Sequence, residues 1–500
     1  MSANLQLLIS RMSQSEKIYF RKFAALQIGK ETGTYSIKLF NYIHHHKNCN
    51  DDECRAHFKG TYIEKFLPQV KAYLMQQLLR SLVNFHSTGL PANQYYSQYA
   101  ELEVLIEKGM HDYALKKIAK FKKRSDWQRN VRFTLEIIRW QKTIMALKGF
   151  VGFGVEEVEE LKTLENQMLH ELEGEIKLAY PYFETFSIIK NPAGFSTEEI
   201  QQKLTNARDI ASEIQFDSIK GYNLKVYYLN IFANYHYVMG EWSKELIYRK
   251  AFFELIIHEY KLFTNNHRAG YQNHFVTALN NLIICSLKCG LEEESTQYLA
   301  QLEESIAGLP PEYATLLTRP YLFKMKIAIQ KGDYESSVKM GETLISKYPD
   351  PQTDTDGAGY LLVYLYMAMG YYMLDQKSKA LSLLNRILNS PAKERDEVKS
   401  FARIFRLFSH IFTQDYEFAI SEIRSIQRTD EYLKGTGVAG KKILELAKKL
   451  SKNSFRDKQS EILNNYLVAF TQMKDDNRFL GIIEKFDFLL LLKKNLKTKA

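Results

Sequence analysis

Gly332-Asp-Tyr-Glu-Ser-Ser337-Val338 is the stretch on which the reading of this chain turns. Glycine enters left-handed backbone without steric cost, so it can end a helix and let the chain reverse. Ser337, five residues on, is small enough for two helices to approach closely. Five further segments carry the same spacing: Gly109-Met-His-Asp-Tyr-Ala114, Gly240-Glu-Trp-Ser-Lys-Glu245, Gly290-Leu-Glu-Glu-Glu-Ser295, Asp375-Gln-Lys-Ser-Lys-Ala380 and Gln414-Asp-Tyr-Glu-Phe-Ala419. Glu245 departs from the pattern, standing where a small side chain belongs. From Glu245 onward these positions lie 50, 42, 43 and 39 residues apart.

Gly332 to Val338, with Pro349 twelve residues past Ser337, resembles the joint of a tetratricopeptide repeat. Ala368 and Tyr371 fall where that family places the small residue and the tyrosine of a first helix. The resemblance covers roughly residues 95–430, in units longer than the family's usual ~34 residues. It implies an all-α chain, a right-handed superhelical solenoid of helix pairs with a concave face for a protein or peptide. It also accounts for Gly357 to Leu374, an uncharged stretch near the lower limit of membrane-spanning length. As the first helix of the unit around Ala380, that stretch is expected to lie buried in protein. The expected divisions are a basic helical module at 1–90, the solenoid at 91–433 and a helical cap with a basic tail at 434–500.

A chain of 500 residues is too long for one core, and 45% apolar with 25% charged residues excludes a disordered one. Hairpin signals are nearly absent. Most of the ten prolines are expected at helix ends, namely Pro91, Pro181, Pro192, Pro310, Pro311, Pro349, Pro351 and Pro391. Four cysteines are too few to staple the chain, which points to reduced thiols and the cytoplasm. Leu5 to Ile9 is shorter than the apolar core of a signal peptide. The net charge of +10 is uneven, with basic ends (+12 over 1–150, +6 over 430–500) and an acidic middle (−8).

Ser13-Gln-Ser-Glu16 reads as a capping box that opens a helix with Ile18, Phe20, Phe23 and Leu26 inward, and Asn50-Asp-Asp-Glu53 as the cap of a short helix. Tyr35 to His46 and Pro68 to His86 supply further helices, the latter with Val70, Tyr73, Leu74, Leu78, Leu82, Val83 and Phe85 in helical rhythm. Val155 to Gly174 is an acidic amphipathic helix (Val158, Leu161, Leu164, Met168, Leu169, Leu172), and Thr197 to Ile214 is another. Val438 to Leu450 and Glu461 to Met473 follow near the end, before Phe486-Asp-Phe-Leu-Leu-Leu-Leu492 and a basic tail.

Gly435-Thr-Gly-Val-Ala-Gly440-Lys441-Lys442 spells two nucleotide-binding loops at once, but both need a preceding strand, and a helix is expected there. A flexible joint is the better reading. His44 to His46, Cys49, Cys54 and His57 gather zinc-type ligands in one irregular polar turn, without the paired spacing of a structural zinc site. Cys285 and Cys289 lie one helical turn apart among leucines and isoleucines, as core thiols do. No catalytic spelling occurs, so neither an enzyme nor a cofactor is expected.

Two features speak to partners. Lys116, Lys117, Lys120, Lys122, Lys123, Arg124, Arg129 and Arg132, beside Trp127 and Phe133, could track the phosphates of a nucleic acid, against the plainer reading of a solvated helix face. The aromatic belt Tyr222, Tyr227, Tyr228, Phe232, Tyr235 and Tyr237 could line a peptide groove or simply fill space between helices. The leading expectation is a non-enzymatic scaffold or adaptor that holds a protein or peptide, with no membrane. Tyr228, Asn230, Tyr235, Tyr364 and Arg403 are its candidate contacts. The alternative, from another class, is a nucleic-acid-associated or transcription-linked regulator, with the basic N-terminal region as reader and the repeat body as sensor.

Overall fold

The computed structural model describes residues 2–26, 31–46, 49–86, 91–123, 127–190, 197–263, 268–307, 314–348, 358–390, 396–429, 437–453, 456–474 and 488–497. Among them there are helices and no strand. They fall into two compact units. One is Met1–Trp127 with Arg132–Glu165 and Glu259–Tyr271, and the other is Gln128–Val131 with Asn166–His258 and Gln272–Ala500.

The first unit opens with α1 (Ser2–Arg11), α2 (Gln14–Ala25), α3 (Glu31–His45), α4 (Asp51–His57), α5 (Tyr62–Lys65) and α6 (Leu67–Phe85). The capping box at Ser13 forms, Ser13 and Glu16 exchanging side-chain and backbone hydrogen bonds, and the cap at Asn50 is a box as well, with Glu53 as its partner. α2, α3 and α6 pack on one another, and α1 lies against α3 and α6. The apolar run Leu5 to Ile9 is therefore part of a helix that buries Leu5 and Ile9 in this core. The inward face of α2 differs from the sequence expectation. Phe20 and Ala24 are buried, while Ile18 is exposed and Leu26, at the C-cap, is 89% exposed. In α6, Val70, Leu74 and Leu78 face inward as expected, but Val83 faces solvent and Lys71, Gln77 and Ser81 are buried instead. Lys71 is neutralised by Asp51 at 2.6 Å. α7 (Pro91–Glu107), α8 (His111–Lys122) and α9 (Val131–Leu147) share a second core built on Leu102, Ile118, Phe133, Ile137 and Trp140.

α10 (Val155–Lys190) is much longer than the helix read from sequence and contains Pro181, contrary to that proline's expected place at a helix end. Proline inside a helix costs about 3 kcal/mol. Leu178, Thr185 and Ile188 stay on one buried face across it, so packing carries the helix through. Val158 and Leu169, expected inward, are exposed, while Leu161 and Met168 are buried.

Next come α11 (Thr197–Ser212), α12 (Tyr222–Val238), α13 (Trp242–Phe263), α14 (Arg268–Lys288), α15 (Glu292–Ile306), α16 (Ala314–Leu317), α17 (Arg319–Lys331), α18 (Tyr334–Lys347), α19 (Ala358–Met373), α20 (Lys377–Leu388), α21 (Asp396–Phe412), α22 (Tyr416–Thr429), α23 (Gly437–Lys452), α24 (Arg456–Lys474) and α25 (Phe488–Lys497), all in the second unit except the end of α13 and the start of α14. From α17 onward they pack in consecutive pairs, and the first helix of each pair also touches the next first helix: α17 with α19, α19 with α21, α21 with α23. α19 is the apolar segment 358–373, buried among α18, α20 and α21. Among the described residues, no helix is long and apolar enough to cross a membrane.

All six turns marked in the sequence are left-handed at their first residue: Gly109, Gly240, Gly290, Gly332, Asp375 and Gln414 have φ between 60° and 78°. Each makes the same two bonds. At Gly332 the amide donates to Ile329 three residues back, and the next amide, Asp333, donates to Ala328 five back. These bonds satisfy carbonyls that a helix end leaves open. A seventh such turn, at Gly149, carries the same bonds and was not marked in the sequence. The five small residues, Ala114, Ser295, Ser337, Ala380 and Ala419, are buried.

Two of these turns use a residue that dislikes left-handed backbone. Gln414, at φ 67°, is exposed, with nothing in its surroundings that explains it. Replacing Gln414 by glycine should raise stability by about 1 kcal/mol, the cost of holding an L side chain there. Urea unfolding checks this, and an unchanged or lowered midpoint would mean that the side chain has a role at the turn.

Candidate functional site

α12 is hemmed in on nearly every side, and its polar residues are tied together where the repeat pattern calls for a small residue. Glu245 is only 4% exposed and pairs with Arg249, itself 8% exposed, at 3.1 Å. Arg249 also donates to Asn230 Oδ1 at 3.2 Å and Asn234 Oδ1 at 3.1 Å. Asn234 in turn donates to Thr185 Oγ1 on α10. A charged pair buried with this many partners stands in for the close approach that an alanine would give elsewhere. Cys285 lies against the same cluster, and burial followed by the nearby Glu245 carboxylate pushes its thiol up. A thiol held protonated in this way is a poor nucleophile.

The acidic face of α10 also has a structural use. Glu171, buried, accepts the amides of Lys220 at 2.7 Å and Gly221 at 2.9 Å, so a remote carboxylate caps the start of α12. Glu175 accepts from Asn223 beside it.

The candidate contact residues divide between core and surface. Asn230 is buried in the network just described. Tyr364 is 1% exposed, with the Arg386 guanidinium 4.3 Å from its ring centre, and offers no surface to a partner. Tyr228 is half-buried between Phe216 and Phe232, and burial raises its phenol. Tyr235, half-buried, accepts a hydrogen bond from Arg208 at 2.8 Å under a guanidinium 4.7 Å from the ring centre. Arg403 is half-buried on α21. Most of the aromatic belt fills space between helices: Tyr227 stacks on Tyr182, Phe232 on Tyr248, and Tyr237 meets Trp242 edge-on.

The basic run is divided in the same way. Lys116 and Lys120 on α8 and Lys123 at its C-cap are exposed. Lys117 is paired with Glu101. Lys122 reaches Gln141 at 2.5 Å and lies over Trp127, and burial lowers its pKa. Arg129 lies over Tyr222 and belongs to the second unit, whereas Arg132 belongs to the first. Arg124 lies outside the described residues.

The other motifs resolve structurally. Gly435 and Thr436 of the glycine-rich loop lie outside the described residues, and from Gly437 the chain is already helix α23, preceded by α22. His46 and His57 stack on Tyr42 at 4.3 and 4.2 Å. Cys49 and Cys54 turn inward with their sulfurs 3.7 Å apart, and burial, then Cys49, pushes the Cys54 thiol up to about 12. No three histidine, cysteine, aspartate or glutamate side chains gather as metal ligands among the described residues.

Sequence reading missed two features. α10 carries a second, exposed apolar stripe of Leu169, Ile176, Tyr180 and Phe183, which a helical wheel extended past Pro181 would have revealed. The other is the seat of α25. Phe488 meets Phe408 of α21 and Phe470 of α24 edge-on. Leu490 and Leu491 close a crevice lined by Met369, Tyr372, Met373, Phe401 and Phe405 of α19 and α21. Lys494 donates to the carbonyls of Tyr372 and Met373 at 2.7 Å each and pairs with Asp375 at 2.9 Å. Asn495 bonds the Tyr372 hydroxyl, and burial raises that phenol to about 12. Asp375 holds its left-handed turn without glycine, and its carboxylate is in use there. Neither any protein-family model nor any curated protein sequence matches the chain.

Proposed function

We infer that this chain is a non-enzymatic scaffold of the tetratricopeptide type, a right-handed superhelix that holds a protein or peptide against its first helices in the cytoplasm. The observation that carries this reading is α25: the layer of first helices α19 and α21 already takes a helix across it, by apolar side chains and a lysine at a helix end. A surface that accommodates one helix in this way has the chemistry for helix-in-groove recognition. The α-helical pairing, the left-handed turns and the buried small positions support the family reading.

The nucleic-acid alternative has less behind it. Among the described residues of the basic run, Lys116, Lys120 and Lys123 remain exposed once Lys117 and Lys122 are accounted for, and Arg129 and Arg132 belong to different units. Counterion release scales with the number of phosphates neutralised, and three make a weak footprint.

A photoreactive phenylalanine analogue at Tyr228, Tyr235 or Arg403, irradiated in native lysate, should give a discrete protein adduct. The same analogue at Lys339, exposed on second helix α18, should give none. Equal adducts from both sets, or none from either, would remove the scaffold reading.

A further inference from the structure

α25 packs on α24, its side chains also reach the first helices α19 and α21, and its grip there has two chemically distinct parts. Phe488, Leu489, Leu491 and Leu492 are buried against the array. One turn further on, Lys494 meets the last carbonyls of α19 and the Asp375 carboxylate. Open carbonyls at a helix end carry partial negative charge and favour a cation. A crevice follows the seam between α25 and the array, with Leu490 and Leu491 on one side and Met369, Phe401 and Phe405 on the other.

We propose that the groove formed by α19 and α21 is a helix-binding site with α25 as its resident ligand, displaced by a partner's amphipathic helix that presents adjacent large apolar side chains and a lysine or arginine one turn beyond them. This rests on the scaffold reading and names the partner's chemistry. The apolar floor selects the greasy face, and Asp375 with the two carbonyls selects the cation and its direction. A helix running the opposite way would set its charge against Phe408 and Phe470 instead of the carboxylate. Covalent attachment gives α25 a high effective concentration, so the groove stays closed to weak ligands and opens to a partner that matches both parts.

The test keeps the whole protein. A protease site placed within residues 475–487 is cut after folding, which leaves α25 held by its contacts alone. The probe is a fluorescein-labelled peptide of residues 486–500, followed by anisotropy. The cut protein should exchange α25 for the peptide, the uncut protein should bind it at least about tenfold more weakly, and a peptide carrying Leu491→Glu and Lys494→Glu should not enter. No exchange over a day, with α25 lost only when the second unit unfolds, would make α25 a permanent part of the core and overturn the proposal. Dimers formed through α25 on mixing would assign the groove to a second copy and overturn the partner as well. Adducts from Tyr228 or Tyr235 without exchange leave the scaffold standing and this site refuted; exchange without adducts refutes the scaffold and the partner with it, leaving only a reversible seat for α25.

Discussion

Arg249→Ala should destabilise the second unit by about 3–5 kcal/mol, the range for breaking a buried ion pair from one side. The loss is not chiefly of packing. Without the guanidinium, the Glu245 carboxylate is left buried with no opposite charge, and the Asn230 and Asn234 oxygens lose their donor. Arg249→Lys should lose much of the same stability, because one ammonium cannot reach three acceptors that a planar fork spans. Adding Glu245→Ala to Arg249→Ala should recover part of the loss, since the stranded charge is then gone. Urea unfolding of the parent, Arg249→Ala, Glu245→Ala and the double variant completes the cycle. If Glu245→Ala adds to the damage in the Arg249→Ala background, the pair is not coupled as its geometry implies.

Gly370→Leu should cost about 3 kcal/mol or more, the upper end for forcing volume into a packed core. A Cβ on Gly370 of α19 would stand 2.7 Å from Val338 Cγ2 and 3.3 Å from the Tyr334 carbonyl of α18. Val338 is β-branched and stiff, and a carbonyl in a helix cannot yield. Gly341 is an instructive contrast. Its Cβ would come 2.5 Å from Met367 Cγ and 2.6 Å from its sulfur, with Met325 Cε at 3.0 Å, but all three atoms belong to unbranched side chains that can re-seat by rotation. Gly341→Ala should therefore fall within about 1 kcal/mol of the parent, with helix propensity offsetting the crowding. Equal penalties at the two glycines would show that α18 and α19 do not cross as closely as described.

The sequence disclosed the turns better than the faces. A left-handed helix end needs glycine or pays for its absence, so Gly109, Gly240, Gly290 and Gly332 are visible in a string of letters, and fixed spacing exposed Asp375 and Gln414 with them. Faces depend on what lies opposite. Ile18 and Leu26 carry the same apolar character as Phe20, and only the placement of α3 and α6 decides which of them is covered. Glu245 looked like a flaw in its repeat because its partner is Arg249, which also bonds Asn230 and Asn234 on the neighbouring helix, a contact that no local pattern records. The same holds for Tyr364 and Asn230, which read as groove residues and lie in the interior. The seat of α25 was hidden for a further reason: Lys494 and Asp375 are separated by more than a hundred residues, and composition alone said only that an apolar helix ends in charge.

Pairs that touch only their neighbours should fail locally, as repeat arrays do. Amide hydrogen exchange read by mass spectrometry on Gly370→Leu against the parent tests this most directly. The account predicts faster exchange in α17 to α21, with α2, α3 and α6 at parental protection. Equal loss of protection along the entire chain would contradict it.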